Sequence, residues 1–330
     1  IQDRPVWITR VDGHAGWANS KALEMAGVTR DSLDPPGGQI LRDKNGNPSG
    51  ILIDNAMNML TEKLPQDSEQ ALKAELDAAS KHLLSLGITS VHDAGVGYAE
   101  YEYYIKRSQE MSLDMRIYAM IAATDAKLVK MLEQGPVFDQ YDYLAIRSVK
   151  VYGDGALGSR GAAMLSPYSD EPHNTGLLLT PQKQLKPLFD LIIGSGFQLN
   201  IHEIGDRGNR LALDQFEDTF TRIKGQSLRN RVEHAQVIDV SDIPRFKTLG
   251  IIPSMQPTHA TSDMNMAQER IGKERLKGAY AWQTFEKQGS MVAFGSDFPV
   301  ELANPFFGLH AAVTRQSRQN QPDEGWIKDE

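Results

Sequence analysis

The sequence contains no cysteine. Disulfides, thiolate nucleophiles and cysteine metal sites are therefore excluded, and any metal ion would have to be held by histidine, carboxylate or a modified lysine. It also has no run of 18 apolar residues, so no membrane insertion is expected, and the opening IQDRPVWITR lacks the basic-then-apolar pattern of a secretory leader. No Gly-x-Gly-x-x-Gly follows the first strand pattern and no Gly-x-x-x-x-Gly-Lys-Ser/Thr occurs. The phosphate-cradling signals of nucleotide-binding open sheets are thus missing. Basic residues are not in excess either: 35 Lys and Arg against 43 Asp and Glu give a net charge of −8, spread along the chain. That balance argues against nucleic acid or an anionic membrane as partner.

What is present describes an ordinary globular chain. The 330 residues are 40% hydrophobic and 24% charged, enough apolar surface for one large core. The first residue is Ile1 rather than methionine and the chain stops abruptly at Trp326-Ile327-Lys328-Asp329-Glu330, so a piece of a longer protein is expected.

Residues 1–60 read as an irregular excursion over the mouth of a barrel formed by residues 61–330. Within the excursion, Gln39-Ile40-Leu41-Arg42 lies between the turn clusters Pro35-Pro36-Gly37-Gly38 and Asn45-Gly46-Asn47-Pro48-Ser49-Gly50, which predicts a hairpin with its tip at Asn45-Gly46. Ser20 is placed to cap a short helix over 21–26, and His14, Trp17 and Asn19 can either line a pocket or serve as turn and packing residues. From Ser68 the apolar positions Leu72, Leu76, Ala79, Leu83 and Leu86 recur at helical spacing, with Gly87 to end the helix. Strand patterns then follow at 88–95, 115–122, 146–152, 198–204, 230–236, 251–257 and 291–297, separated by helical ones, the last of them a broken helix over 264–287. Strict alternation of strand and helix gives a parallel sheet. Seven units with polar residues gathered at strand ends predict a (β/α)8 TIM-type barrel with one strand short of closure.

Several strand patterns stop at a ligand-type residue: Lys150 in Val149-Lys150-Val151-Tyr152-Gly153-Asp154-Gly155, His202 in Ile201-His202-Glu203, His234 in Arg231-Val232-Glu233-His234-Ala235, and Asp297 in Gly295-Ser296-Asp297-Phe298-Pro299. Taken singly, a strand lysine is usually a rim residue, a lone histidine a hydrogen-bonded core residue and an aspartate before Phe-Pro a turn former. Their conjunction at successive strand ends, together with Gly158-Ser159-Arg160-Gly161 and Gly205-Asp206-Arg207, resembles the amidohydrolase superfamily, in particular its YtcJ-like, amidohydrolase-3 branch. The resemblance implies a carboxylated lysine at Lys150 bridging two metals, histidine ligands at His202 and His234, and a metal-binding, proton-transferring aspartate at Asp297. It also implies a His-x-His pair on the first strand. None of the eight histidines supplies one, and the seven strand patterns correspond to the second through eighth of such a barrel.

Imidazole and carboxylate suit Zn²⁺, which lowers the pKa of bound water to roughly 7. A lysine ammonium cannot ligate a cation, so Lys150 must lose its charge, and a carbamate would offer two oxygens. His259, just past the 251–257 strand pattern, and Arg160, in the loop after the lysine strand, are candidate substrate-binding residues. His92-Asp93 is not expected to act as a dyad, because adjacent strand residues point to opposite faces. The function implied is metal-dependent hydrolysis of a carbon–nitrogen amide-type bond in a small molecule, an N-substituted formamide or N-acyl amine, with two zinc ions per intact subunit and homodimers common in such barrels. Two alternatives stand beside it: a mononuclear member with unmodified Lys150 acting on a cyclic amide or lactone, and a non-catalytic regulatory barrel.

Overall fold

The computed structural model describes residues 3–65 and 68–330. Its first part is a small antiparallel sheet of β1 (Trp7–Thr9), β2 (Ala15–Ala18), β3 (Gly38–Arg42) and β4 (Pro48–Asp54), in the order β1-β2-β4-β3. The hairpin around Asn45-Gly46 is the β3–β4 pair, and Asp43 closes its tip by accepting from the Asn45 and Asn47 amides at 2.8 and 2.9 Å. β1 and β2, of three and four residues, are too short to leave an alternation in the sequence, so this part reads as irregular although it is a sheet. Asn19, not Ser20, caps α1 (Ser20–Ala26): its side-chain oxygen accepts from Ala22 N and from Val6 N, both at 3.0 Å. One amide group thereby closes the helix and fixes the entry to β1. Together with α2 (Asn58–Thr61), these elements enclose a core of their own around Ala22, Ile40, Leu52, Ala56, Met57 and Leu60.

Beyond it strand and helix alternate. The order is α3 (Glu69–Ser85), β5 (Ser90–Val96), α4 (Tyr98–Gln109), β6 (Arg116–Ala122), α5 (Leu128–Glu133), β7 (Val137–Phe138), β8 (Leu144–Tyr152), α6 (Gln182–Gly194) and β9 (Gln198–Glu203). There follow α7 (Asp206–Arg222), β10 (Arg231–His234), α8 (Ile243–Leu249), β11 (Ile252–Met255), α9 (Pro257–Asp263), α10 (Ala267–Arg275), α11 (Trp282–Lys287), β12 (Ala293–Phe294) and α12 (Pro305–Thr314). Ser68 caps α3 by accepting from Ala71 N. The helical pattern over 264–287 is broken where Gly272 takes φ 71° and ψ 169°, a conformation reserved for glycine. No helix among the described residues is long and apolar enough to cross a membrane.

Seven strands pair in parallel in the order β5-β6-β8-β9-β10-β11-β12, with β7 lying antiparallel on β8. The sheet is open, since β5 pairs only with β6 and β12 only with β11 among the described residues. It is also strongly curled. In a flat sheet β5 and β10, four strands apart, would be separated by roughly 19 Å. Yet Arg231 Nη1 of β10 lies 2.8 Å from His92 Nδ1 of β5, which requires the two strands to face each other across an interior. The fold is thus mixed α/β with a curled, half-barrel parallel sheet.

Alternation along each strand divides apolar from polar. Val149, Val151, Leu199, Ile201 and Val232 join a continuous core with Phe189 of α6 and Phe216 of α7, whose rings meet at 4.8 Å. Each such side chain contributes roughly 1.5–3 kcal/mol by its burial. The alternate positions, Lys150, Asn200, His202, Arg231 and Glu233, are buried yet polar and contact one another or their neighbours across the interior. A core layered with valine and isoleucine would be expected inside a barrel. Here the interior is polar, and the cost of that burial is offset by pairing such as Arg231 Nε to Glu233 Oε1 at 2.6 Å.

Candidate metal centre

The strand ends on one side of the sheet hold the ligand-type residues. His234 closes β10, His202 is one residue from the end of β9, Lys150 two from the end of β8, His259 lies in the first turn of α9 directly after β11, and Asp297 is three residues past β12. Parallel register puts Tyr152 beside His202 and Glu203 beside His234, so consecutive strands deliver their side chains to one mouth. His234 and Asp297 adopt φ of 75° and 58°, which non-glycine residues rarely tolerate. Strain of this kind persists where surrounding contacts over-determine it, and it clusters at functional sites.

Three donors converge: ligand atoms of His234, His259 and Asp297 all lie within 4.8 Å of one another, with His259 Nε2 3.6 Å from Asp297 Oδ2. His202 packs on His234 with ring centroids 4.5 Å apart, and Lys150 Nζ sits 4.9 Å from the centre of the Tyr152 ring, itself 5.7 Å from His202. Arg160 is placed differently. Its guanidinium bonds Asp170 at 2.8 Å and lies 3.6 Å from Glu171, an arrangement internal to its loop.

Hydrogen bonding sets the histidine tautomers. The amide of Gln256 is oriented by its Nε2 donating to Ser254 O at 3.1 Å, so its Oε1 faces His234 Nδ1 at 2.7 Å and accepts that proton. His234 Nε2 is left with a free lone pair. His202 Nε2 faces Gly155 O at 3.4 Å, which assigns the proton there and the lone pair to Nδ1. Burial pushes the His202 pKa well below its ordinary value and lowers that of His234 to about 4, so both rings are neutral, the form that binds metals. Burial likewise lowers Lys150 toward its neutral amine. Burial works to raise Asp297, but the basic side chains that face it, His234 first, outweigh burial and hold its pKa below the usual carboxylate value.

Two further pairs enter the mouth that the strand-end pattern does not disclose. His14, from the turn before β2, has its ring centre 4.9 Å from that of His202, the planes tilted by 41°, and its Nδ1 lies 2.6 Å from Asp54 Oδ1 at the end of β4. Burial disfavours charge on His14, yet the Asp54 carboxylate prevails and its pKa is raised. Of the residues in that stretch open to pocket lining, His14 reaches the site, Asn19 caps a helix and Trp17 is 63% exposed. The second pair is Asp154 with Glu203. Asp154 accepts from the Ile204, Gly205 and Ala163 amides, each at 2.8 Å, and lies 3.7 Å from His202 Nε2. Glu203, adjoining it and fully buried, is raised well above the carboxylate range by burial and by the charge of Asp154. The glycines flanking Asp154 now have a reason: a Cβ at Gly153 would lie 1.9 Å from Glu203 Oε1, and one at Gly155 2.4 Å from Asp54 Oδ2.

The donor set fits a divalent cation. The neutral imidazole of His234, its tautomer fixed by Gln256, converges with His259 and the Asp297 carboxylate, and His259 Nε2 is buried with no hydrogen-bond partner. Comparison with known proteins agrees. Residues 1–330 match the family described as Amidohydro_3, the amidohydrolase family. Protein LONG AFTER FAR-RED 3 of Arabidopsis thaliana is 34% identical over 99% of this chain and 58% of its own length, and putative amidohydrolase YtcJ of Bacillus subtilis (strain 168) is 32% identical over 97% and 60%. The N-substituted formamide deformylase of Arthrobacter pascens is 24% identical over 99% and 62%. An uncharacterized metal-dependent hydrolase from Pyrococcus horikoshii OT3 superposes with a TM-score of 0.78 at 28% identity, covering 99% of this chain and 65% of that one. The chain therefore spans less than two thirds of the length of these relatives.

Proposed function

The chain belongs to the amidohydrolase family, and from that premise we propose that the intact protein is a hydrolase that uses a divalent metal to cleave a carbon–nitrogen amide-type bond in a small molecule. The observation that carries this reading is the convergence of His234, His259 and Asp297 within 4.8 Å, with His202 against His234 and Lys150 on the neighbouring strand. Lys150, His202, His234 and Asp297 are the proposed ligands of two zinc ions in a completed (β/α)8 barrel. His259, within reach of Asp297, is either a further ligand or a substrate contact. The likeness to the deformylase favours an N-substituted formamide over other N-acyl amines.

When bound, the metal lowers the pKa of water to roughly 7 and polarises the carbonyl to be attacked. The protein's own groups do the rest. Asp297 is ionised and its side chain is 36% exposed toward the mouth, so an Oδ atom can take the proton from the attacking water and return it to the leaving nitrogen. Gln256 and Gly155 O hold the two imidazoles in the required tautomers. Burial favours the neutral Lys150 amine, the form that adds carbon dioxide and releases a proton to become a carbamate.

The test is turnover of an N-substituted formamide by the intact protein, with zinc measured by elemental mass spectrometry. Two equivalents of zinc are expected, and Lys150→Ala, His202→Ala, His234→Ala and Asp297→Asn should each abolish hydrolysis. Wild-type turnover by Asp297→Asn would overturn the proton route, and absence of metal from active protein would overturn the whole reading.

A further inference from the structure

One face of α9 presents His259 to the metal centre. The adjoining face, carrying Thr258, Thr261 and Ser262, borders a separate cleft of about 500 Å³, within the range of small-molecule sites. Its other wall comes from Glu301 and Leu302 after β12, Phe307 of α12 and the turn around Arg318. Two charges line it. Glu301 is held by Ser262 Oγ, which donates to Oε1 at 2.5 Å. The Arg318 guanidinium lies 5.2 Å from the Phe307 ring centre. Among the described residues neither charge forms an ion pair, with the other or with any third group.

An oriented carboxylate and an oriented guanidinium, both unpaired and sharing one cleft with Leu302 and Phe307, define what can occupy it. A simple anion would meet Arg318 but be repelled by Glu301, and a simple amine would face the reverse. A neutral apolar molecule would strip water from both charges without replacement. A molecule carrying ammonium and carboxylate together satisfies each, the guanidinium taking the carboxylate through two parallel N–H donors. We propose that this cleft binds a free α-amino acid with an apolar side chain, its ammonium on Glu301, its carboxylate on Arg318 and its side chain against Leu302 and Phe307. The site is independent of the hydrolytic reading, since none of these groups belongs to the metal centre.

The test is calorimetric titration of the 330-residue chain with leucine, isopentylamine and 4-methylpentanoate, the latter two each carrying one of leucine's charges. Leucine should bind saturably, and each single-charge analogue at least roughly tenfold more weakly. Arg318→Ala and Glu301→Gln, at positions outside the core, should each weaken leucine by roughly tenfold while leaving the circular dichroism spectrum unchanged. No saturable binding of leucine, equal binding of either analogue, or leucine affinity unmoved by both substitutions would overturn the proposal.

Discussion

β9 and β12 belong to one sheet and both lead to a candidate ligand, yet they hold it differently. Every residue of β9 is buried, with β8 and β10 paired on either side and α6 and α7 packed on its outer face. β12 has two ordered residues, a single neighbour, and Phe294 52% exposed. His202 is therefore positioned by a whole packed layer, whereas Asp297 is positioned by its own turn and by contact with His259. The contrast suits the two roles. A ligand gains from rigidity, while a group that receives and returns a proton needs access to substrate and solvent.

Four substitutions test that contrast. Phe216→Ala removes a fully buried ring from the layer behind β9, and denaturant titration should show a loss of about 3–5 kcal/mol. Gln256→Leu leaves the fold standing but takes away the acceptor that fixes His234, so equilibrium dialysis should show metal affinity of the intact protein falling roughly 10–100-fold.

Glu203→Gln alters a pH slope. The folded protein holds a proton on the Asp154–Glu203 pair where an unfolded carboxyl, with a pKa of about 4, has lost it. Folding therefore binds protons, and this pair's contribution to stability falls as pH rises from about 4 through the folded value of about 7 for Asp154. The variant has one titrating carboxyl fewer, so its stability relative to wild type should increase with pH across that window. A parallel pair of stability curves would show that the Glu203 carboxyl is not raised in the folded protein. The smallest effect belongs to the edge: Phe294→Ala on β12 should cost less than about 1 kcal/mol, and a loss matching that of Phe216→Ala would erase the distinction between centre and edge.

The same difference explains what the sequence discloses. The interior strands are legible because runs such as Gln198-Leu199-Asn200-Ile201-His202 combine β-branched or apolar residues with a polar stop, and the resemblance to amidohydrolases was carried by those stops. Lys150, His202, His234 and Asp297 stand out for that reason. His14 and Asp54 do not, because their meeting joins positions 40 apart through the pairing of β2 with β4, and no periodicity encodes it. Glu203 was hidden by its neighbour: beside a histidine at a strand end, a second polar residue reads as solvent-facing, whereas register sends it into a buried pair with Asp154. Arg160 illustrates the opposite case, in which glycine-rich surroundings suggest a binding loop while the side chain is taken up by Asp170 and Glu171.

The contact between His14 and His202 has a consequence for how the mouth fails. His14 is carried by the four-stranded sheet, whose own core has only a handful of fully buried side chains, while His202 is anchored in the much larger one. Opening of the smaller unit withdraws His14 and Asp54 together and leaves the seven-stranded sheet intact. On warming, the mouth is therefore expected to come apart before the larger core melts, and substitutions at positions such as Leu52 or Leu60 should register first as a loss of the site's integrity and only later as a loss of fold, an order that hydrogen exchange at the two sheets would check.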